Sequence, residues 1–149
     1  MIGRLQTVFK CLNSHDVRYV AIGGIAAVIH GVPRMTFDLD ILIEPSLQNA
    51  EKLLRALEDS GLGTAALTTP EQILANEITI FSDLVRIDVQ TSTPGISFDD
   101  AWNTRISKDF HGTTIQLVSR DKLIASKRAA GRPKDLEDVR ILEQDHDNV

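Results

Sequence analysis

Cysteine is nearly absent: Cys11 is the only one in 149 residues. A single thiol cannot close an internal disulfide, and it excludes thiolate zinc cages and C-x-x-C redox pairs. This usage suits a reducing cytoplasm, the expected location. Basic charge is also short, with 16 Lys+Arg against 21 Asp+Glu and a net charge of −5. Such a chain is not built to coat nucleic acid non-specifically, although a local basic patch can still grip phosphates. No apolar run is long. The longest, Tyr19 to Ile29, has eleven residues, where a bilayer span needs about 20. The opening stretch Met1 to Lys10 lacks the apolar segment of a secretory signal, so no membrane partner is expected. Aromatic residues make up 5%. They follow no stacking-platform pattern, and Trp102 and the five Phe are expected in the core. His15, His30, His111 and His146 show no metal-ligand spacing. His30, in the last turn of a helix, is expected to be structural.

What is present is ordinary globular material, 42% hydrophobic and 25% charged. A chain of this length buries roughly 68–70% of its unfolded surface and suits one domain. The expectation is a single domain over residues 1–149, with a core over about 1–118 and a helical part over about 119–149. Helical spacing of Ile2, Leu5, Phe9 and Leu12 predicts a helix over 2–14. Val17 to Ile22 reads as a buried strand broken by Gly23-Gly24, and Ile25 to His30 as a short helix. Phe37 to Glu44 reads as a strand. Ser46 then caps a helix that ends at Gly61. Residues 62–76 hold a loop and a short helix. Ile78 to Phe81 reads as an edge strand, Leu84 to Thr91 as an alternating strand, Phe98 to Arg105 as a helical turn, and Thr114 to Val118 as a strand. Ser119 caps a helix through Ala130. Leu136, Val139 and Leu142 mark a last helix before a frayed tail over 145–149. The fold class is therefore α/β or α+β, with one mixed, twisted sheet of four or five strands covered mainly on one face by helices.

Asp38-Leu39-Asp40 is the most informative triplet. In a strand, residues i and i+2 share a face, about 6.6–6.8 Å apart along the backbone. Two carboxylates can converge there while Leu39 faces the core, and hard divalent cations want such oxygen ligands. A bare Asp-x-Asp is still far more often a solvated face. Asp88 lies mid-strand in Arg86-Ile-Asp-Val-Gln90. A third carboxylate beside the first two would be repelled by them and would call for a cation; taken alone, a pair with Arg86 accounts for it better. Val20-Ala-Ile-Gly-Gly24 reads as strand, glycine turn and helix, an arrangement that can approach a phosphate closely. Its spacing matches neither G-x-G-x-x-G nor the P-loop, and, taken alone, a tight turn without a ligand explains it a little better.

The combination is more specific than its parts. Ile22-Gly-Gly24, thirteen residues, then Asp38-Leu-Asp40-Ile41 resembles the signature of the nucleotidyltransferase fold, with Ile87-Asp88-Val89 where its third carboxylate stands. Leu123-Ile-Ala-Ser-Lys127 and Gly131-Arg-Pro-Lys-Asp135-Leu-Glu-Asp138 are similar to the downstream lysine and Arg-x-Lys-Asp motif of small bacterial members, the abortive-infection toxin nucleotidyltransferases among them. The likeness spans residues 17–142. It implies that Asp38, Asp40 and Asp88 are catalytic and hold Mg²⁺, two ions in all. It also implies that Gly23 and Gly24 cradle the phosphate tail of an NTP and that Lys127 neutralises its charge, with Arg34 and Arg132 as weaker nucleotide contacts. Arg34 is matched equally by a pair with a surface acid, Arg132 by a helix stop beside Asp135 as an N-cap, and Lys127, apart from the resemblance, by an ordinary surface lysine. Arg128 and Lys134 are expected to face solvent. The implied activity is transfer of NMP from NTP to an acceptor hydroxyl on a protein, RNA or small molecule, with release of pyrophosphate, in a possible toxin–antitoxin setting. The alternatives are an inactive nucleotide-binding or partner-binding module of the same fold, and a phosphohydrolase using the same acids. A chain this short leaves acceptor recognition to a homodimer or a partner protein.

Overall fold

A computed structural model describes residues 2–147, with side chains through residue 144. The chain runs α1 (Ile2–Ser14), β1 (Tyr19–Ile22), α2 (Gly23–Ile29), β2 (Asp38–Ile43), α3 (Leu47–Asp59), a 3₁₀ turn (Gly63–Leu67), α4 (Pro70–Ala75), β3 (Ile78–Ser82), β4 (Arg86–Gln90), α5 (Phe98–Asn103), β5 (Ile106–Phe110), β6 (Thr113–Leu117), α6 (Arg120–Ala130) and α7 (Pro133–Asp147). The last helix continues through much of the segment expected to fray; residues 148–149, and the side chains from 145 onward, lie outside the described residues.

The sheet has six strands in the order β3-β4-β2-β1-β6-β5. The β2–β4 and β1–β6 pairings are parallel and the others antiparallel, so the mixed character holds and the strand number exceeds the expected four or five. The additional strand is β5. Its sequence Ile-Ser-Lys-Asp-Phe is exposed at every residue but Phe110, because it is an edge strand whose order comes from backbone pairing with β6. No apolar alternation marks such a segment.

The central strands are apolar on both faces. Tyr19, Val20, Ala21 and Ile22 of β1 are all buried, as are Ile41, Leu42 and Ile43 of β2. On the Tyr19 face, α1 packs through Phe9, whose ring lies 6.1 Å from that of Tyr19, with α3 beside it. The Tyr19 hydroxyl donates to Asn13 Oδ1 at 3.0 Å and accepts from the Gln116 amide, so the buried phenol is satisfied at both ends of its polar tip. The opposite face is not bare, as a sheet covered mainly on one side would be. There α5 sits against β1, and its Trp102 ring lies under the Arg18 and Arg105 guanidinium groups. Trp102 is only half-buried, and Phe37 is exposed, so these two depart from the all-core expectation; Phe9, Phe81, Phe98 and Phe110 are buried. Phe37 precedes β2 and contributes to neither face.

Local signals explain most boundaries. Ser46, Ser97 and Ser119 cap α3, α5 and α6 by accepting the backbone N–H three residues on, which satisfies a donor that the helix leaves free. Thr69 and Gln72 form a reciprocal capping box around Pro70, and this resolves the indistinct 62–76 stretch into a turn and a helix. His30 donates from Nε2 to the Val118 carbonyl at 2.8 Å. Burial lowers its pKa first, and the nearby Arg120 adds to this, so the ring is neutral and structural as expected.

Asn49 ties the first two layers together. Its Oδ1 accepts from the Arg18 amide at 2.8 Å, and its Nδ2 donates to the carbonyls of Arg18 and Glu44, each at 3.0 Å. The side chain is buried, so truncation strands the Arg18 N–H, while the Arg18 and Glu44 carbonyls keep bonds from the Glu44 and Ser46 amides. Asn49→Ala is expected to cost about 1–3 kcal/mol in urea denaturation; a loss under ~0.5 kcal/mol would show that water replaces the amide.

Candidate active site

The parallel pairing of β2 with β4 sets the site. Asp38 stands opposite Arg86 and Asp40 opposite Asp88. Neighbouring strands lie about 4.8 Å apart and paired residues point to one face, so Asp38, Asp40, Arg86 and Asp88 share a patch. The intervening Leu39 and Ile87 are fully buried on the other side. The three sequence-predicted acids are thus brought together.

Their proximity has an electrostatic cost. The Asp40 carboxyl is lifted from 3.8 to about 6, first by burial and then by the charges of Asp88 and Asp38, with the Asp88 carboxylate also in hydrogen-bond contact. The Gly24 N–H donates to Asp40 and opposes the rise. Arg86 supplies the compensating charge, donating from Nε to Asp88 Oδ1 at 3.0 Å and from Nη2 to Oδ2 at 3.3 Å. Its Nε also lies 3.9 Å from Asp38 Oδ2. The Arg86–Asp88 pair weighed from sequence therefore exists, together with the acid convergence rather than in place of it.

Gly23 is required by Asp40. Its φ is +68°, and a Cβ there would lie 2.4 Å from Asp40 Oδ2. Only glycine accepts both that backbone region and that contact. The turn begins α2 two residues earlier than the helical spacing suggests, with the strand running directly into it. The glycine pair expected to cradle phosphate thus seats a carboxylate: Gly23 lines the cleft, and the Gly24 N–H is engaged by Asp40.

The facing wall comes from α6 and α7. A cleft of about 400 Å³ is bounded by Gly23, Asp40 and Asp88 on the sheet side and by Ser126, Lys127 and Arg132 on the helical side. The turn before α5 holds α6 in place. A Cβ on Gly95 would lie 2.7 Å from the Ala125 carbonyl, and its φ is +83°. A larger, about 480 Å³ hollow lies away from the acids, at the Arg18 end of β1.

The expected cations are present but already engaged. Lys127 is buried, with Nζ 2.8 Å from Asp138 Oδ2 and 3.7 Å from Asp135 Oδ1. Arg34 does not line the cleft; its Nη2 lies 2.6 Å from the other oxygen of Asp138, an acid that is fully buried rather than on the surface. Arg132 lines the cleft, is largely exposed, and forks onto Asp135 at 2.6 and 3.2 Å. Asp135 is the third residue of α7, not its N-cap. Its carboxyl is held below the usual range, burial notwithstanding, by Arg132 and Lys127. Arg128 and Lys134 are exposed as expected. Asp138 is the main functional partner that residue-by-residue reading missed. The available signal was its i, i+3 spacing from Asp135, which puts both on one helical face.

Among the described residues no three His, Cys, Asp or Glu side chains form a ready-made metal cage. The donor set nevertheless fits a hard divalent cation, since three carboxylates share one face and crowd each other enough to lift one of them toward neutrality. Among the described residues, no helix is long and apolar enough to cross a membrane.

A family model described as nucleotidyltransferase of unknown function (DUF6036) matches residues 3–144. Two solved structures share the fold. One is a candidate nucleotidyltransferase from Thermotoga maritima, 16% identical, covering 95% of this chain and 91% of its own, with a TM-score of 0.57. The other is an antigenic nucleotidyltransferase-like protein from Paracoccidioides brasiliensis, 17% identical, covering 95% and 74%, with a TM-score of 0.58. No curated protein matches at a significant level.

The raised Asp40 pKa makes a pH-dependent prediction. The folded protein binds this proton more tightly than the unfolded chain. Asp40 therefore costs nothing near pH 4, and its cost grows as pH rises and is complete above about 6. The full shift corresponds to at most ~3 kcal/mol, and partial solvent access reduces it to about 1–2. In chelator, Asp40→Asn is expected to melt higher than the parent at pH 7.5, with the gain vanishing toward pH 4. An unchanged or lower melting temperature at pH 7.5 would contradict the crowding.

Proposed function

Since the chain belongs to the DUF6036 family of nucleotidyltransferases of unknown function, we propose that it transfers a nucleoside monophosphate from an NTP to an acceptor hydroxyl, with Mg²⁺ as cofactor. The observation that carries this reading is the β2–β4 register, which sets Asp40 beside Asp88 on one wall of the cleft, opposite Lys127 and Arg132, with Asp38 on the same face of the sheet just outside it.

Asp38, Asp40 and Asp88 would hold the divalent ions, two in this reading. When bound, those ions supply charge neutralisation at the triphosphate and polarise the reacting oxygens. The acceptor oxygen forms a bond to the α-phosphorus, and the bond from that phosphorus to the bridging oxygen breaks. The pair of electrons leaves with pyrophosphate. The acceptor proton passes to a carboxylate oxygen of Asp88. Arg132, at the cleft mouth, meets the anionic phosphate tail through the guanidinium edge that Asp135 leaves free, and Lys127 contributes positive potential from behind it. Gly23 and Gly24 hold Asp40 in place and leave room above it for the phosphates. The contribution of the protein is then positioning and electrostatics, as in other phosphoryl transfers.

The acceptor class (protein, RNA or small molecule) is not encoded in the cleft lining. A second copy or a partner protein would supply that surface. A toxin–antitoxin setting and a cytoplasmic location belong to the same proposal and rest on the sequence resemblance and composition. One observation favours the second reading, a binding module without turnover: the Arg86 fork already occupies Asp88.

Incubation with Mg²⁺ and each α-³²P-NTP, together with cell extract as acceptor source, separates these readings. Transfer puts label on an acceptor and releases pyrophosphate. Asp38→Asn is expected to lower the rate by about 10³-fold or more while the fold, judged by circular dichroism, persists. Bound nucleotide without labelled product supports the module, and phosphate release without labelled acceptor supports hydrolysis. Full activity of Asp38→Asn would refute the assignment of the acids.

A further inference from the structure

Arg86 has no role in the chemistry above, yet it occupies the place where positive charge is needed. It stands two residues before Asp88 on β4 and directly opposite Asp38 on β2. Its guanidinium makes two hydrogen bonds to Asp88 and a longer ion contact to Asp38. The two acids it touches are those that flank Asp40 across and along the sheet. The cations of the cleft lining, Lys127 and Arg132, are committed to Asp135 and Asp138.

The side chain is also free to leave. Arg86 is 46% exposed at its side chain, and its partner Asp88 is 16% exposed. Among the described residues its polar partners are carboxylates alone, with no carbonyl and no aromatic ring fixing its far end. An ion pair of this exposure is weak enough to exchange, whereas a divalent ion offers twice the charge.

We propose that Arg86 is a resident counter-ion of the acidic site: it bridges Asp88 and Asp38 in the metal-free protein, competes with the divalent cation for them, and is displaced toward the cleft mouth when the cation binds. This rests on the metal assignment made above and adds to it a residue that gates occupancy. The displaced guanidinium carries a fork suited to a phosphate or carboxylate. Cation binding thereby exchanges one bound positive charge for two and releases the first toward the incoming anion.

The test is cation binding rather than turnover. Mn²⁺ affinity is measured by electron paramagnetic resonance for the parent, Arg86→Gln and Arg86→Lys, with melting temperatures in chelator and in Mg²⁺. Removing the competing charge is expected to tighten Mn²⁺ binding by about 5–10-fold in Arg86→Gln. That variant should melt lower than the parent in chelator and gain more from Mg²⁺. Arg86→Lys keeps the charge without the two-pronged bridge and should tighten binding by a smaller factor, which also covers the case in which Arg86→Gln does not fold. Equal Mn²⁺ affinity in the parent and the folded variants overturns the gating role and leaves the metal assignment standing. No Mn²⁺ binding to any of the proteins at millimolar concentration overturns the metal assignment itself, and the gating role with it.

Discussion

Two carboxylates held side by side by a parallel strand pairing impose the central constraint on this molecule. Asp40 and Asp88 are register partners, so neither can move away without breaking β2–β4, the pairing at the middle of one half of the sheet. Their repulsion has three outlets in such a site: protonation, a resident cation or a bound metal. The structure holds the second and leans toward the first. Asp40 is displaced toward the neutral form, and Arg86 is drawn onto Asp88. The surrounding architecture follows from the same constraint. Gly23 is bare because Asp40 lies against it, and the Gly24 amide is turned onto that carboxylate rather than onto a ligand.

The helical wall repeats the pattern with opposite sign. Buried Lys127 would be expensive alone, and Asp135 and Asp138 on α7 compensate it. Arg34 and Arg132 then balance those two acids from either side. Taken together, the cleft and the ion pairs beside and behind it hold five carboxylates and four cationic side chains, one positive charge short of neutrality. A cleft so balanced is a poor site for a triphosphate until a cation arrives. A divalent ion reverses its sign and makes the entry of an anion favourable.

Much of this was legible in the sequence because it depends on periodicity and local chemistry. The alternation of Asp38-Leu39-Asp40 and of Ile87-Asp88-Val89 gives the face of each acid, and serine and threonine caps mark the helix starts. What stayed hidden depends on pairing between distant segments. No feature of Arg86 alone distinguishes a local partner of Asp88 from a bridge to Asp38; that requires the β2–β4 register. Strand β5 carries no apolar pattern because its order is borrowed from β6. Lys127 reads as an exposed cation on a polar helix, and only the packing of α7 across it shows that it is buried. The glycine pair was expected to serve a phosphate, since sequence records that a side chain is missing there but not which neighbour fills the space.

The same reasoning indicates where specificity in this fold is to be sought. The positions of the acids and of the glycine turn are fixed by the strand register and are committed to holding charge. Substrate discrimination must therefore come from elements the register does not constrain. Edge strand β3 is one: Ile78 and Ile80 lie opposite Gln90 and Asp88 and are half exposed, so they border the acids without supporting the core. Their substitution would change what borders the acids and leave the carboxylate geometry untouched. The scaffold is thus divided, rigid where charge converges and open along one edge.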